Sequence, residues 1–202
     1  MSSNSGVYWN HNTAFHPRLL RVARRLKGPI LDVGCGDGLL VSKLAQLGDR
    51  VTGLDPDFEA VAIARQRCAG FGNVELRQIG FLEAMLNDDA FAFITSVAVL
   101  HHMDSRLAFH RAARLLRPGG VLYIVGVPKL DTRADFVWAT SQMARARIIG
   151  RFRREYYPHD IPRAPSDLSF DEVKALASEV LPGSVVKRAP YCRYTLRWTR
   201  PR

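Results

Sequence analysis

The stretch Ile30-Leu31-Asp32-Val33-Gly34-Cys35-Gly36-Asp37-Gly38-Leu39-Leu40 decides the fold. A short apolar run that follows Gly28-Pro29 and meets three alternating glycines suits a buried strand turning sharply into a helix. Residues 38–47 supply that helix, with Leu39, Leu40, Leu44, Ala45 and Leu47 on one face and Gly48 closing it. Upstream, residues 7–25 place Leu19, Leu20, Val22 and Ala23 at helical spacing around Pro17, ending near Lys27-Gly28.

Downstream the same rhythm repeats. Strands are expected at 50–54, 74–79, 91–99 and 121–127, and helices at 58–69 and 106–116. This alternation predicts an α/β fold: a Rossmann-like, doubly wound, mostly parallel sheet with helices on both faces. Beyond Pro128 the pattern changes. Residues 132–154 form an amphipathic helical insertion, 156–167 are proline-rich, and Ser169-Phe170-Asp171-Glu172 is a capping box opening a helix that stops at Leu181-Pro182-Gly183. Residues 185–189 and 191–198 then close the sheet as an antiparallel hairpin, making seven strands in all.

A chain of 202 residues with 47% apolar content can bury one good core. No apolar run approaches the about 20 residues that cross a bilayer, and Met1-Ser2-Ser3-Asn4-Ser5-Gly6 lacks the regions of a signal peptide. A cytoplasmic protein with no membrane partner is therefore expected. The three cysteines are scattered, without the Cys-x-x-Cys spacing of metal or redox work, so no metal site is expected. The net charge of +10 comes mostly from arginine, concentrated at 18–27 and 145–154. Such runs read as solvated helix faces, or, for 145–154, as an RNA-binding face, although no RNA-binding module signature accompanies it.

The glycine loop sits after the first strand, where open α/β sheets bind nucleotide-like ligands. Gly34 and Gly36 lack the Cβ that would block close approach. The spacing is Gly-x-Gly-x-Gly rather than the dinucleotide Gly-x-Gly-x-x-Gly, and Asp32 and Asp37 flank it. Two carboxylates would repel a pyrophosphate but tolerate an amino group and a sulfonium, which favours S-adenosylmethionine over NAD. Asp55, about 20 residues on at the end of the second strand, can accept both hydroxyls of an adenosine ribose.

Residues 30–127 resemble the class I S-adenosylmethionine-dependent methyltransferases, especially the small kind acting on metabolites. Leu31 to Gly38 is similar to that family's first motif, Leu54-Asp55-Pro56-Asp57 to its second, and Leu115 to Leu122 to its late loop and strand. The resemblance implies that Asp32, Gly34 and Gly36 surround the methionine part, with Cys35 and Ser96 as further cofactor contacts. It places the ribose on Asp55 and the adenine edge at Pro56. Two positions depart from the pattern. Gly80 stands where an acid usually takes the adenine amino group, leaving that task to backbone near Gly80 and Phe81 or to Phe81 packing; Ala92 replaces an acid at the start of the fourth strand.

Residues 95–104, Thr-Ser-Val-Ala-Val-Leu-His-His-Met-Asp, lack the Asn/Asp-Pro-Pro-aromatic signature of enzymes that methylate base amines, which argues against nucleic acid as substrate. The resemblance instead aligns His101 with the general base of small-molecule O-methyltransferases, with His102 as neighbour or substitute. A histidine suits that role at neutral pH, though either imidazole can equally cap the next helix or pack beneath a lid. Tyr8, Trp9, His11, Asn12 and His16 are candidate lid contacts, and Tyr156, Tyr157 and His159 candidate substrate contacts. The expected organisation is one domain over residues 1–202, acting as monomer or homodimer: an N-terminal lid helix (1–27), a cofactor-binding core (28–128), a helical substrate cap (129–168), and a last helix with closing strands (169–202). The expected activity is methyl transfer to a small-molecule hydroxyl. The alternatives are an RNA methyltransferase using the arginine-rich face and a non-catalytic binding protein of the same fold.

Overall fold

The structure, a computed structural model, describes residues 8–153, 155–156 and 166–202. Its elements run α1 (His16–Leu26), β1 (Ile30–Val33), α2 (Leu39–Ala45), β2 (Val51–Asp55), α3 (Phe58–Cys68), β3 (Val74–Gln78), β4 (Phe91–Val97), α4 (Ser105–Leu115), β5 (Leu116–Gly126), α5 (Arg133–Arg153), α6 (Phe170–Val180), β6 (Val185–Ala189) and β7 (Arg193–Thr199). They form a seven-stranded sheet in the order β3-β2-β1-β4-β5-β7-β6. Strands β1 to β5 are parallel, and β7 pairs antiparallel with both β5 and β6. The strand order reverses between β1 and β4, which opens a crevice outside their carboxyl ends.

Side-chain alternation on the strands builds two cores. Ile30, Val51, Phe93, Val121 and Tyr123 face α1 and α2 through Leu19, Ala23, Leu40 and Leu44. Their neighbours Leu31, Ile94, Leu122 and Ile124 face α4 and α6 through Phe109, Leu115, Val173 and Leu181. A period of two on strands buried on both faces explains why they read as unbroken apolar runs.

Helix starts follow the chemistry of their caps. Asp57 accepts from Ala60 N at 3.0 Å and Asp104 from Leu107 N at 2.9 Å. The expected capping box is formed, with Ser169 N donating to Glu172 Oε2 at 2.7 Å and Glu172 N to Ser169 Oγ at 3.4 Å.

Three boundaries depart from expectation. The first helix starts at His16, because Asn10 Oδ1 accepts the N–H groups of Asn12 and Thr13 and turns residues 8–12 into a separate strap. β5 begins at Leu116, pairing with Phe91 before Gly119 and Gly120 carry the chain through a register shift. Tyr191 and Cys192, expected in the last strand, adopt φ of 63° and 54° and form the hairpin turn, the left-handed pair that matches strand twist. Residues 157–165, including Tyr157 and His159, lie outside the described residues. Among the described residues no helix is long and apolar enough to cross a membrane.

Candidate functional site

Gly34 N and Cys35 N both donate to Leu54 O, at 2.8 and 2.9 Å, pinning the loop after β1 to β2. Gly34, Gly36 and Gly38 hold φ of 70°, 52° and 76°, a region costly for any other residue. Their surroundings differ. A Cβ on Gly34 would lie 2.6 Å from Val99 Cγ1, and one on Gly38 2.8 Å from Ala64 Cβ, whereas one on Gly36 would meet nothing within 4 Å. Gly34 and Gly38 therefore permit close packing, and Gly36 is the bare point facing open space. Cys35 turns its buried thiol toward Gly53, 3.0 Å from where that glycine's Cβ would stand, so it presents only backbone to the crevice.

The carboxylates divide in the same way. Asp37 is held by Arg67, whose Nη2 donates to Oδ2 at 2.8 Å and whose Nε donates to Asp37 O at 2.9 Å, while Tyr8 Oη donates to Oδ1 at 3.2 Å. Its charge is matched inside the protein by Arg67. Asp32 is fully buried, and burial, then the neighbouring Asp55, holds its carboxyl well above the usual range. Asp55 Oδ2 accepts from Gly36 N at 2.8 Å and Oδ1 from Asp57 N at 3.0 Å. A buried acid beside a second acid suits a cation, whose arrival relieves the desolvation cost. Ser96 Oγ and Thr95 Oγ1, at the end of β4, are buried without a hydrogen-bond partner among the described residues, a state that calls for a ligand or water. These residues fit an adenosyl sulfonium that carries an amino group.

The acid missing at position 80 has a structural replacement. Ala84 N donates to Gly80 O at 3.1 Å, closing a turn that lays the Glu83 carboxylate over Gly80, its Cδ 3.2 Å from where a Cβ would be. Phe81 is buried in the core with the Arg111 guanidinium 5.6 Å above its ring centroid. Its side chain serves packing.

Ala98, at φ 58°, donates its N–H to Val125 O at 2.7 Å and redirects the chain after β4. A non-glycine residue in this region is strained, and such strain gathers at functional sites. The 3-10 turn Leu100–His102 follows, with the two imidazoles 4.1 Å apart between centroids and tilted by 39°. His101 is pushed down to about 4 by burial, then by His102 and Arg193, with Asp167 opposing. It is therefore neutral at pH 7, and its buried Nδ1 has no hydrogen-bond partner among the described residues. On its far side lies a cavity of about 530 Å³, lined by His101, Leu100, Met103, Asp167, Leu176 and Tyr194 among others. Segment 98–102 thus covers the glycine loop through Val99 and borders the cavity through His101.

The N-terminal strap ties three parts of the surface together. Tyr8 reaches Asp37 and meets Tyr156 edge-on at 6.1 Å. Trp9 O accepts from Tyr156 N at 3.0 Å. His11 stacks on Tyr191 at 4.7 Å with Nε2 3.2 Å from Glu155 Oε1, and Asn12 Oδ1 accepts from Arg193 at 3.1 Å. His16 stands apart from this strap: it is buried against α2, its Nδ1 3.3 Å from Lys43 Nζ, and burial followed by Lys43 drives it down to about 3. Glu83, Val99, Glu155, Tyr191, Arg193 and Tyr194 were not anticipated. Each acts across a distance in sequence, or around a turn, that spacing does not encode. Among the described residues no group of three metal-binding side chains assembles.

Residues 31–124 match the family model described as Methyltransferase domain. An uncharacterised methyltransferase of Mycobacterium tuberculosis is 29% identical over 197 residues, spanning 96% of this chain and 98% of that protein. A ubiquinone biosynthesis O-methyltransferase of Rhizobium etli is 32% identical over 127 residues, 61% of this chain and 51% of that one. Among solved structures, a SAM-dependent methyltransferase from Aquifex aeolicus aligns with a TM-score of 0.62 at 19% identity, covering 93% of this chain and 92% of its own.

Proposed function

We propose that this chain is a class I S-adenosylmethionine-dependent methyltransferase, a reading supported by its likeness to the methyltransferase family model and to the relative from Mycobacterium tuberculosis, and that it methylates the hydroxyl of a small-molecule acceptor, with His101 as the general base. The observation that carries this reading is a neutral, half-buried imidazole with a vacant ring nitrogen, bordering a cavity of metabolite size and two residues beyond Val99, which packs on the glycine loop. The likeness to an O-methyltransferase of ubiquinone biosynthesis supports oxygen as the atom methylated.

S-adenosylmethionine, when bound, supplies a methyl on a sulfonium, so that a C–O bond forms as the C–S bond breaks and the electron pair returns to sulfur. Gly36 and the carboxylates of Asp32 and Asp55 would hold its methionine and ribose parts, and Glu83 would accept from the adenine amino group. His101 takes the acceptor's hydroxyl proton and later gives it to solvent; His102, in ring contact with it, is its neighbour or substitute. Tyr8, Trp9, His11 and Asn12, tied to Tyr156 at the end of α5, form a lid that keeps water from the sulfonium. Residues 129–168 serve as the acceptor's cap. Positioning accounts for much of the rate in such an in-line displacement, and the base for about 10²- to 10⁴-fold.

The test separates binding from chemistry. His101→Ala should bind S-adenosylhomocysteine with wild-type affinity by calorimetry. Its formation of S-adenosylhomocysteine with a panel of hydroxy acceptors should fall by about 10²-fold or more. A variant as active as wild type at pH 7 removes His101 from the reaction.

A further inference from the structure

The cavity beside His101 also constrains which acceptor fits. We infer that it takes an aromatic hydroxy compound that is uncharged or positively charged, and that it turns anionic acceptors away; this rests on the methyltransferase reading above. At about 530 Å³ the space lies between the first turn of α4 and the face of α6, next to the end of β5. Leu100, Met103, Val127, Val173 and Leu176 give it apolar walls, surfaces on which a ring buries well and against which a thioether is favourable.

Two polar groups point the ring's orientation. His101 borders the cavity on the side of segment 98–102. Tyr194, a buried residue, also lines it, and burial pushes its phenol up so that it remains a neutral donor. A neutral phenol on the cavity wall can donate to a ligand oxygen. The hydroxyl to be methylated belongs at His101. An imidazole this weakly basic is a poor match for an aliphatic alcohol, and an aromatic hydroxyl near about 10 narrows the gap.

Charge at the mouth sets the second requirement. The described lining includes the carboxylates of Asp104, Asp167, Glu172 and Glu179 and one guanidinium, Arg106, which is bonded to Glu179 through both nitrogens. Asp104 and Glu172 cap α4 and α6, and the Ser169 N–H holds the Glu172 carboxyl below the usual range. Arg193 acts on His101 from the hairpin side. On a chain of net charge +10, this acidic mouth is a local reversal, and such a field favours approaching cations over anions.

Three probes that share one ring and one hydroxyl isolate the effect: tyramine, 4-ethylphenol and 4-hydroxyphenylacetate, each titrated into protein saturated with S-adenosylhomocysteine. Tyramine should bind about ten-fold tighter than 4-hydroxyphenylacetate at low salt, with 4-ethylphenol between them and the gap shrinking as salt rises. Asp167→Lys should narrow or invert that order. Leu176→Trp should abolish binding of all three while keeping affinity for S-adenosylhomocysteine. The inference is overturned if the carboxylate binds as tightly as the amine, if Leu176→Trp leaves the probes unaffected, or if no probe binds while S-adenosylhomocysteine does. Failure of S-adenosylhomocysteine itself to bind would instead remove the methyltransferase reading on which the inference stands.

Discussion

At the scale of single residues, Glu83 is proposed to perform from beside Gly80 the task of an acid at that position. The glycine leaves room, and a turn closed by Ala84 N and Gly80 O brings a carboxylate into that room from three residues away. Glu83→Gln should therefore weaken S-adenosylhomocysteine binding by about ten-fold, the scale of one charge-assisted hydrogen bond discounted for exposure, with no change in unfolding midpoint. Unaltered affinity in calorimetry would put Glu83 outside the adenine site. His101 sets a second expectation. Its proton acceptor is lost only as pH falls through about 4, so kcat/KM should stay level from neutrality to about pH 5 and drop below that. A limb centred near 6.5 would mean an unperturbed imidazole. The glycines, Asp32 and Asp55 could be named as candidates from their places at strand ends, and His101 from the family resemblance; Glu83 could not, because it arrives by way of a turn.

At the scale of elements, the succession of apolar strands and amphipathic helices predicted the layered sheet, and the two-sided cores show why the strands are apolar throughout. Ile30 and Leu31, or Phe93 and Ile94, point to opposite faces, so both residues of each pair had to be apolar. Element ends were less legible where side chains compete with backbone. Asn10 takes two N–H groups that a longer helix would have used, and a pair of residues with left-handed φ at 191 and 192 shortens β7. The packing of segment 98–102 on the glycine loop gives a testable consequence. Gly34→Ala places a methyl against Val99 at a position with φ of 70°. It should cost about 2–4 kcal/mol of stability in denaturant unfolding, with Val99→Ala recovering part of it. A Gly34→Ala protein with wild-type stability would mean that the loop is not held by this contact.

For the whole molecule, the buried His16–Lys43 contact links α1 and α2 to the pH dependence of folding. His16 is held near 3 in the folded state and lies near 6.5 when unfolded, so between these values the unfolded chain binds more protons. Stability should be complete above about pH 6.5 and decline by several kcal/mol in total as pH falls toward 3. His16→Gln should flatten that decline in acid-unfolding curves; an unchanged curve would assign acid lability elsewhere. The amino-acid sequence by itself determined the order of strands and helices, the glycine loop and the acid pair beside it. Each of these follows from local periodicity and from the spacing of a short motif. Only the tertiary structure decided that Asp37 is matched by Arg67, that Gly36 alone of the three glycines faces open space, and that His101 stays neutral above an acid-rimmed cavity. Those properties come from groups brought together by packing, and charge, burial and free volume depend on neighbours that no local pattern names.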